Sequence, residues 1–542
     1  MKKAAVFFTA FMAISAVLVA QTQLSQDIKV TAGTPYKVVD AKVKEYFFDG
    51  KESTISVKKE GEKVIIQKVN VISLVETSHK EYIDFPLEFR HINVVKIGGK
   101  LHFIYAVLNR KELSDYVYAR EINMSDVVFK PAKLLFKTSR PVAVSEFYNA
   151  SSLINIRSAY YDVFTSFDKS KLMFRYRLEL LDRNDDVSFD QIGFQVFDEN
   201  LEKQWGGELK MPFTEKQINN LAYGVGKNGT VQMLIYQNDT KKLEMVTVKS
   251  DLSFKINKIN IEQNPITATL FLREDAEGNY SCTGYYANEL KTKLNGKVDL
   301  TEPVNSNGLL WFKVNSEGEF LDYKLHEFSI ELINQYEDIY DVKQNNENEL
   351  KGKAGLEDLY ITDVVSNTDG SVTIVGEQCN FNDNAQYINS SYNGNGQSNS
   401  QIIFKDVIVA RIDKSGNMVW IKKLPKHQYG ETRRGGMGIK YMQGLDSDYI
   451  FFIDKPKNVG LPLTESPYTY TEGKEGYITL YKISNATGVF KAHTIVSYEN
   501  INGLEPSKFT PSKIFMTLDK VFMFEVYIKG KQDVMIKMEL KD

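Results

Sequence analysis

Six histidines, two cysteines and one acidic run are the groups in this chain most suited to holding a metal. Their spacing decides what they can do. The histidines stand at 79, 91, 102, 326, 427 and 493. No two are separated by two or four positions and no cysteine sits among them, so no local zinc site is written here. His102 falls inside the alternating segment "KLHFIYAV" and is expected to be structural. Cys282 and Cys379 are the only cysteines, too few for a disulfide framework in so long a chain, and are expected to behave as small buried apolar side chains. "DRNDDVSFD", Asp182 to Asp190, offers oxygens at the first, third, fifth and ninth positions of a calcium loop. Val187 and Gly193 replace the glycine and the bidentate glutamate such a loop needs, so an irregular solvated loop is expected instead.

Nucleophilic chemistry is equally unsupported. There is no G-x-S-x-G elbow, no phosphate-cradling glycine loop, and no cysteine in a recognisable catalytic setting. "RRGGMGIKYM", Arg433 to Met442, is glycine-rich but runs into a strand rather than a helix, and reads at most as a weak anion site. No catalytic residue, metal or cofactor is expected. Two polar insertions are more suggestive of binding. "QCNFNDNAQYINSSYNGNGQSNSQ", residues 378–401, is nearly free of aliphatic residues. Its Asn389 and Asn393 offer adaptable hydrogen bonds, and Tyr387 and Tyr392 offer flat faces for a sugar or a peptide side chain. These four, with Arg433 and Arg434, are the expected ligand-binding residues. "DKPKNVGLPLTESPYTYTEGKEG", 454–476, carries Tyr468 and Tyr470 among prolines and is of the same kind.

Two recurring strand pairs must position these segments. In the first, an alternating strand ends at an Asp or Asn, turns, and leaves on another strand, as in "VARIDKSGNMVWIKK" and "FQVFDENLEKQWGGE". The turn residues are Asn123, Asp198, Asp251, Asn315, Asp413 and Asn485, with Gly318, Gly416 and Gly488 three positions on in half of them. A carboxylate or amide closes such a turn on the backbone, and glycine supplies the positive φ. Trp205 follows Asp198, and Trp420 follows Asp413, by the same seven positions. Both tryptophans are expected to pack between repeats. The second kind is a tighter, more apolar hairpin such as "VVSNTDGSVTIVGEQ", with Asp369-Gly370, Asn228-Gly229 or Gly98-Gly99 at its turn. Gly376 and Gly284, six positions after turn glycines, are expected to let neighbouring backbones approach.

Alternation of the two kinds makes four-stranded antiparallel sheets in series, the pattern of an all-β propeller. Units fall at about 36–85, 89–138, 145–213, 215–263, 265–329, 355–428, 434–498 and 508–542. The expected fold is a single β-propeller domain over 21–542 with eight, alternatively seven, four-stranded blades. Two smaller β domains meeting near 340–353 are a further alternative. The last unit has room for three strands, so "QDIKVTAG" at 26–33 is expected to complete it and close the ring. Residues 329–355 are expected to begin as a short amphipathic helix and continue as a polar linker. The segments "FTSFDKSKLMFRYRLE", "IGFQVFDENLEKQWGGELKMPF" and "VIVARIDKSGNMVWIKKLPK" resemble a poorly characterised group of exported bacterial propeller-like repeat proteins. The resemblance implies blade architecture over most of the chain and transfers no functional residue.

"MKKAAVFFTAFMAISAVLVA" has the positive start, uncharged stretch and small final residue of a secretory signal, with the cut expected after Ala20. Removing Lys2 and Lys3 leaves 65 basic residues against 70 acidic ones, a net charge near −5. The charges are interspersed, so no nucleic-acid partner is expected, and no further stretch is long and apolar enough to span a membrane. The expected protein is a monomeric, non-enzymatic scaffold of the bacterial cell envelope, periplasmic or extracellular, that binds a protein or glycan. The alternative is an envelope hydrolase or lyase acting on carbohydrate or peptide in the propeller channel.

Overall fold

Alternating strands that are apolar on both faces cannot end at a single sheet; each sheet needs a neighbour on either side. The computed structural model meets this with a ring. It describes residues 24–41, 43–144, 160–179, 188–214, 216–262, 270–288, 305–382, 401–431 and 436–541. Among these, antiparallel sheets of at least four strands form eight blades of a β-propeller: blade 1 at 43–82, blade 2 at 90–137, blade 3 at 161–214, blade 4 at 218–258, blade 5 at 270–327, blade 6 at 359–424 and blade 7 at 440–497, with blade 8 built from both ends of the chain. The tight hairpins of the sequence are the first and second strands of their blades, and the Asp/Asn pairs are the third and fourth. The alternatives of seven blades and of two separate domains give way to this arrangement.

The turns work as their residues require. Asp413 Oδ1 accepts the amides of Ser415 and Asn417, both at 2.8 Å, and Asp198 Oδ1 accepts those of Asn200 and Glu202, both at 2.9 Å. Gly416 and Gly488 hold φ of +84° and +66°. Each tryptophan seats on a turn of the next blade: Trp205 Nε1 donates to the Gly229 carbonyl at 2.9 Å, and Trp420 Nε1 to the Asn485 carbonyl at 3.0 Å. A Cβ at Gly488 would stand 2.6 Å from the Trp420 ring, so glycine there is required by packing as well as by φ. One expectation needs correcting. The space beside Gly376 is filled by the Tyr285 side chain of blade 5, not by a neighbouring backbone.

The core lies between blades. Met173, Phe194 and Trp205 of blade 3 meet Tyr223, Met233 and Val246 of blade 4, and comparable clusters fill the other seams. The seam that joins the two ends of the chain differs. Ile28–Ala32 pairs antiparallel with 536–540, adding the strand that the last unit lacks. The apolar cluster between blades 8 and 1 is small, holding Tyr36, Val69, Leu74, Met523 and Met535. Beside it lies a buried ionic group. Lys58, with no exposed side-chain surface, pairs with Glu525 and, at 3.5 Å, with Asp533; Lys44 reaches the same acids at 3.1 and 3.4 Å. The Tyr36 and Tyr46 hydroxyls donate to Glu525 at 2.8 and 2.9 Å. The lysines hold the Glu525 carboxyl well below its ordinary range against the effect of burial, while burial and the neighbouring Glu525 charge push Asp533 up.

The 329–355 connector departs from the sequence reading. Ile330–Ile333 is a short helix, and the polar stretch after it is a second helix, Ile339–Glu349, rather than a linker. Asp338 caps it by accepting the amides of Tyr340 and Asp341 at 2.8 and 2.9 Å, a start signal that apolar periodicity does not reveal. Lys58→Met leaves two buried carboxylates with Lys44 as their one remaining cation, so a loss of about 3–5 kcal/mol is expected. Urea unfolding measures it, and the double variant K58M/E525Q should recover part of the loss.

Candidate functional site: the sector of blades 5 to 7

Four antiparallel strands starting at the axis put the 1–2 and 3–4 turns on one face of the ring. The 2–3 links and the blade-to-blade connectors lie on the other. The first face carries tight turns. On the second, the middle strands of blade 5 end at Tyr286 and Gly308, those of blade 6 end at Asn382 and Gln401, and the link of blade 7 runs between Asp454 and Tyr477. The helical connector between blades 5 and 6 joins them there. The blade 7 insertion and the helical connector therefore share one side of the ring.

A buried polar network fixes this side. Lys423, fully buried, donates to the Ile333 carbonyl at 3.0 Å, to Glu337 at 2.7 Å, and pairs with Asp406 at 3.2 Å, tying the connector to blade 6. Lys426 pairs with Glu377 at 2.8 Å, and its amide donates to Asp406 at 2.9 Å. The Tyr336 amide donates to the Leu463 carbonyl at 2.7 Å, joining the connector to the blade 7 insertion. Within that insertion, Asn458 donates to Asp454 at 2.7 Å and accepts the Tyr468 amide at 2.7 Å. Tyr470–Thr471 pairs parallel with Gln428 and Tyr429. Burial pushes Asp406 up to about 6 and Asp454 up to about 7, with Lys423 and Asn458 respectively opposing the shift.

The expected site residues fare unevenly. Tyr387, Asn389, Tyr392, Asn393, Arg433 and Arg434 lie outside the described residues. Of the two blade 7 tyrosines, Tyr470 is in the core and Tyr468 is about half exposed. The Gly436 amide of the glycine-rich run is taken by Glu472 at 2.9 Å. Asp182 to Asp186 also lie outside the described residues, and Asp190 is committed to Arg177 and Asn220, each at 2.7 Å. Cys282 and Cys379 are buried free thiols, and burial pushes His102 down to about 4, leaving a neutral imidazole at neutral pH. Among the described residues no helix is long and apolar enough to cross a membrane.

Three charged residues of the innermost strands were not among the expected site residues. Arg273, Asp363 and Lys440 sit on the innermost strands of blades 5, 6 and 7, at Leu270–Glu274, Leu359–Ser366 and Lys440–Gln443. All three side chains are half-buried. The available signal was a charge inside otherwise apolar strands, in "LFLRE", "YITDVV" and "IKYM", which gains meaning only once the strands are phased into blades.

These features define an eight-bladed β-propeller. No protein-family model matches the chain, and no curated protein matches it. Among solved structures, a protein of unknown function from Bacteroides caccae is 11% identical with a TM-score of 0.27, covering 69% of this chain and 94% of that one. A prolyl endopeptidase is 10% identical with a TM-score of 0.39, covering 92% and 55%. An uncharacterised protein from Listeria monocytogenes is 8% identical with a TM-score of 0.35, covering 92% and 96%. Likenesses this distant bear on neither ligand nor reaction.

The raised Asp454 carries a pH signature. Folded, it keeps its proton to about 7, whereas an unfolded aspartate releases it near 3.8. Its contribution to stability is therefore fully present below 3.8 and is lost as pH rises through 7. Asp454→Asn should stabilise the protein at pH 8 by up to roughly 4 kcal/mol, with little gain at pH 4. Thermal melts at the two pH values measure the difference.

Proposed function

We propose that the protein is an exported, monomeric, non-enzymatic scaffold of the bacterial cell envelope, periplasmic or extracellular, cleaved after Ala20. It binds a protein or glycan through the insertion-bearing face of blades 5 to 7. The observation that carries this reading is the blade 7 insertion and the helical connector on one side of the ring, held there by Lys423, Asn458 and the Tyr336–Leu463 backbone bond. A frame fixed before the ligand arrives lowers the ordering cost of binding. The interior acids of this side support a binding role, because they are engaged by protein groups: Asp406 by Lys423, Glu377 by Lys426, and Asp454 by Asn458. Contact is assigned to Tyr387, Asn389, Tyr392, Asn393, Arg433 and Arg434 by their side-chain chemistry: adaptable amides, flat aromatic faces and cations.

A glycan array probed with the mature protein tests the reading. Replacing 383–400 by a short Gly-Ser link should reduce array binding at least tenfold while leaving the melting temperature within a few degrees. Binding that survives the replacement unchanged contradicts the assignment of this link as the contact.

A further inference from the structure

Charges on the innermost strands are partnered almost all the way round the ring. Lys44 meets Glu525 and Asp533, Glu45 meets His91 at 3.3 Å, and Arg90 meets Asp115. Lys96 donates to the Phe48 carbonyl at 3.3 Å, Asp162 pairs with Arg175 at 2.9 Å, and Glu274 accepts the amides of Phe167 and Lys227 at 3.0 and 2.8 Å. Blades 5 to 7 break the pattern. Among the described residues the Arg273 guanidinium makes one long bond, 3.4 Å to its neighbour's carbonyl at Leu272. The side chains of Asp363 and Lys440 make no hydrogen bond or ion pair there. The three charges lie within electrostatic reach of one another, Lys440 and Arg273 both acting on Asp363, and the Arg273 guanidinium also lies over the Phe271 ring at 5.6 Å. The trio keeps one surplus positive charge with no hydrogen-bonded counter-ion among the described residues, which a ligand of opposite charge can meet.

The charge count narrows that ligand. Arg273, Lys440 and Asp363 sum to one positive charge, which a monoanion neutralises and a zwitterion does not. A guanidinium presents parallel donors that match a carboxylate at two points. Ionised Asp363 only accepts hydrogen bonds, so the ligand should carry hydroxyl donors near its carboxylate. We propose that Arg273, Asp363 and Lys440 form a subsite for a uronic-acid-type sugar, with the carboxylate on the two cations and a hydroxyl donating to Asp363. The proposal rests on blades 5 to 7 being the binding sector and narrows its ligand to an acidic glycan. Burial pushes Asp363 up to about 6, opposed by Lys440 and Arg273, and pushes Arg273 down, opposed by Asp363.

Calorimetry on the full mature protein with galacturonate, galactose and glycine tests it. Galacturonate should bind saturably, and neutral galactose and zwitterionic glycine should not. Arg273→Gln and Lys440→Gln should each weaken galacturonate at least about tenfold, and Lys440→Arg should retain it. Circular dichroism melts show whether each variant is folded, and the lysine pair decides the matter if Arg273→Gln fails to fold. Absent galacturonate binding, equal binding of glycine, or undiminished binding in folded glutamine variants overturns the subsite. The two readings fail separately: array binding lost with 383–400 but untouched by the glutamine variants sinks only the channel subsite.

Discussion

Each blade exposes apolar surface on both faces, so the stability of any one depends on two neighbours, and the requirement is met only when the last blade finds the first. That closing contact is the constraint on which the remainder depends. Elsewhere the seams are filled with aliphatic and aromatic side chains, whose attraction is strong but indifferent to register. At the junction of blades 8 and 1 the apolar contribution shrinks, and Lys44, Lys58, Glu525, Asp533, Tyr36 and Tyr46 take its place. A buried ion group gains little net energy over a well-packed apolar one, but it penalises every misaligned alternative by leaving a charge unpaired. Placing it where the chain ends meet favours one closure of the ring over near misses.

What could be read from the sequence was what is settled locally. An Asp or Asn accepting amides two and four residues on, a glycine at positive φ, and a tryptophan at a fixed offset each act within a few residues, and they phase the strands. The closing strand was legible by subtraction, because the final unit lacked one. The ionic seam was not: Lys58 and Glu525 are 467 positions apart, and nothing local marks either. The same holds for Lys423 with Glu337 and for the open trio on blades 5 to 7. The Ile339–Glu349 helix escaped for another reason. Its buried face is absent, so the apolar period that announces most helices has nothing to mark, and only the Asp338 cap signals the start.

The ring is regular in architecture and uneven in decoration. Blade 4 is four strands with short turns, whereas a helical connector precedes blade 6, blade 7 carries the 454–477 insertion, and the buried Lys423 ties that connector to blade 6. Arg273, Asp363 and Lys440 stand on the innermost strands of blades 5 to 7. A propeller frame is compatible with many unrelated activities, so neither fold class nor composition says what this sector does.

The central claim is that closure makes the eight blades one cooperative body. Hydrogen–deuterium exchange of the amides in 28–32 and 536–540 tests it most directly. The account predicts protection equal to that of the central strands of blades 3 and 4, with all exchanging through global unfolding. Exchange in the closing strands that is orders of magnitude faster, while the other blades stay protected, would contradict it.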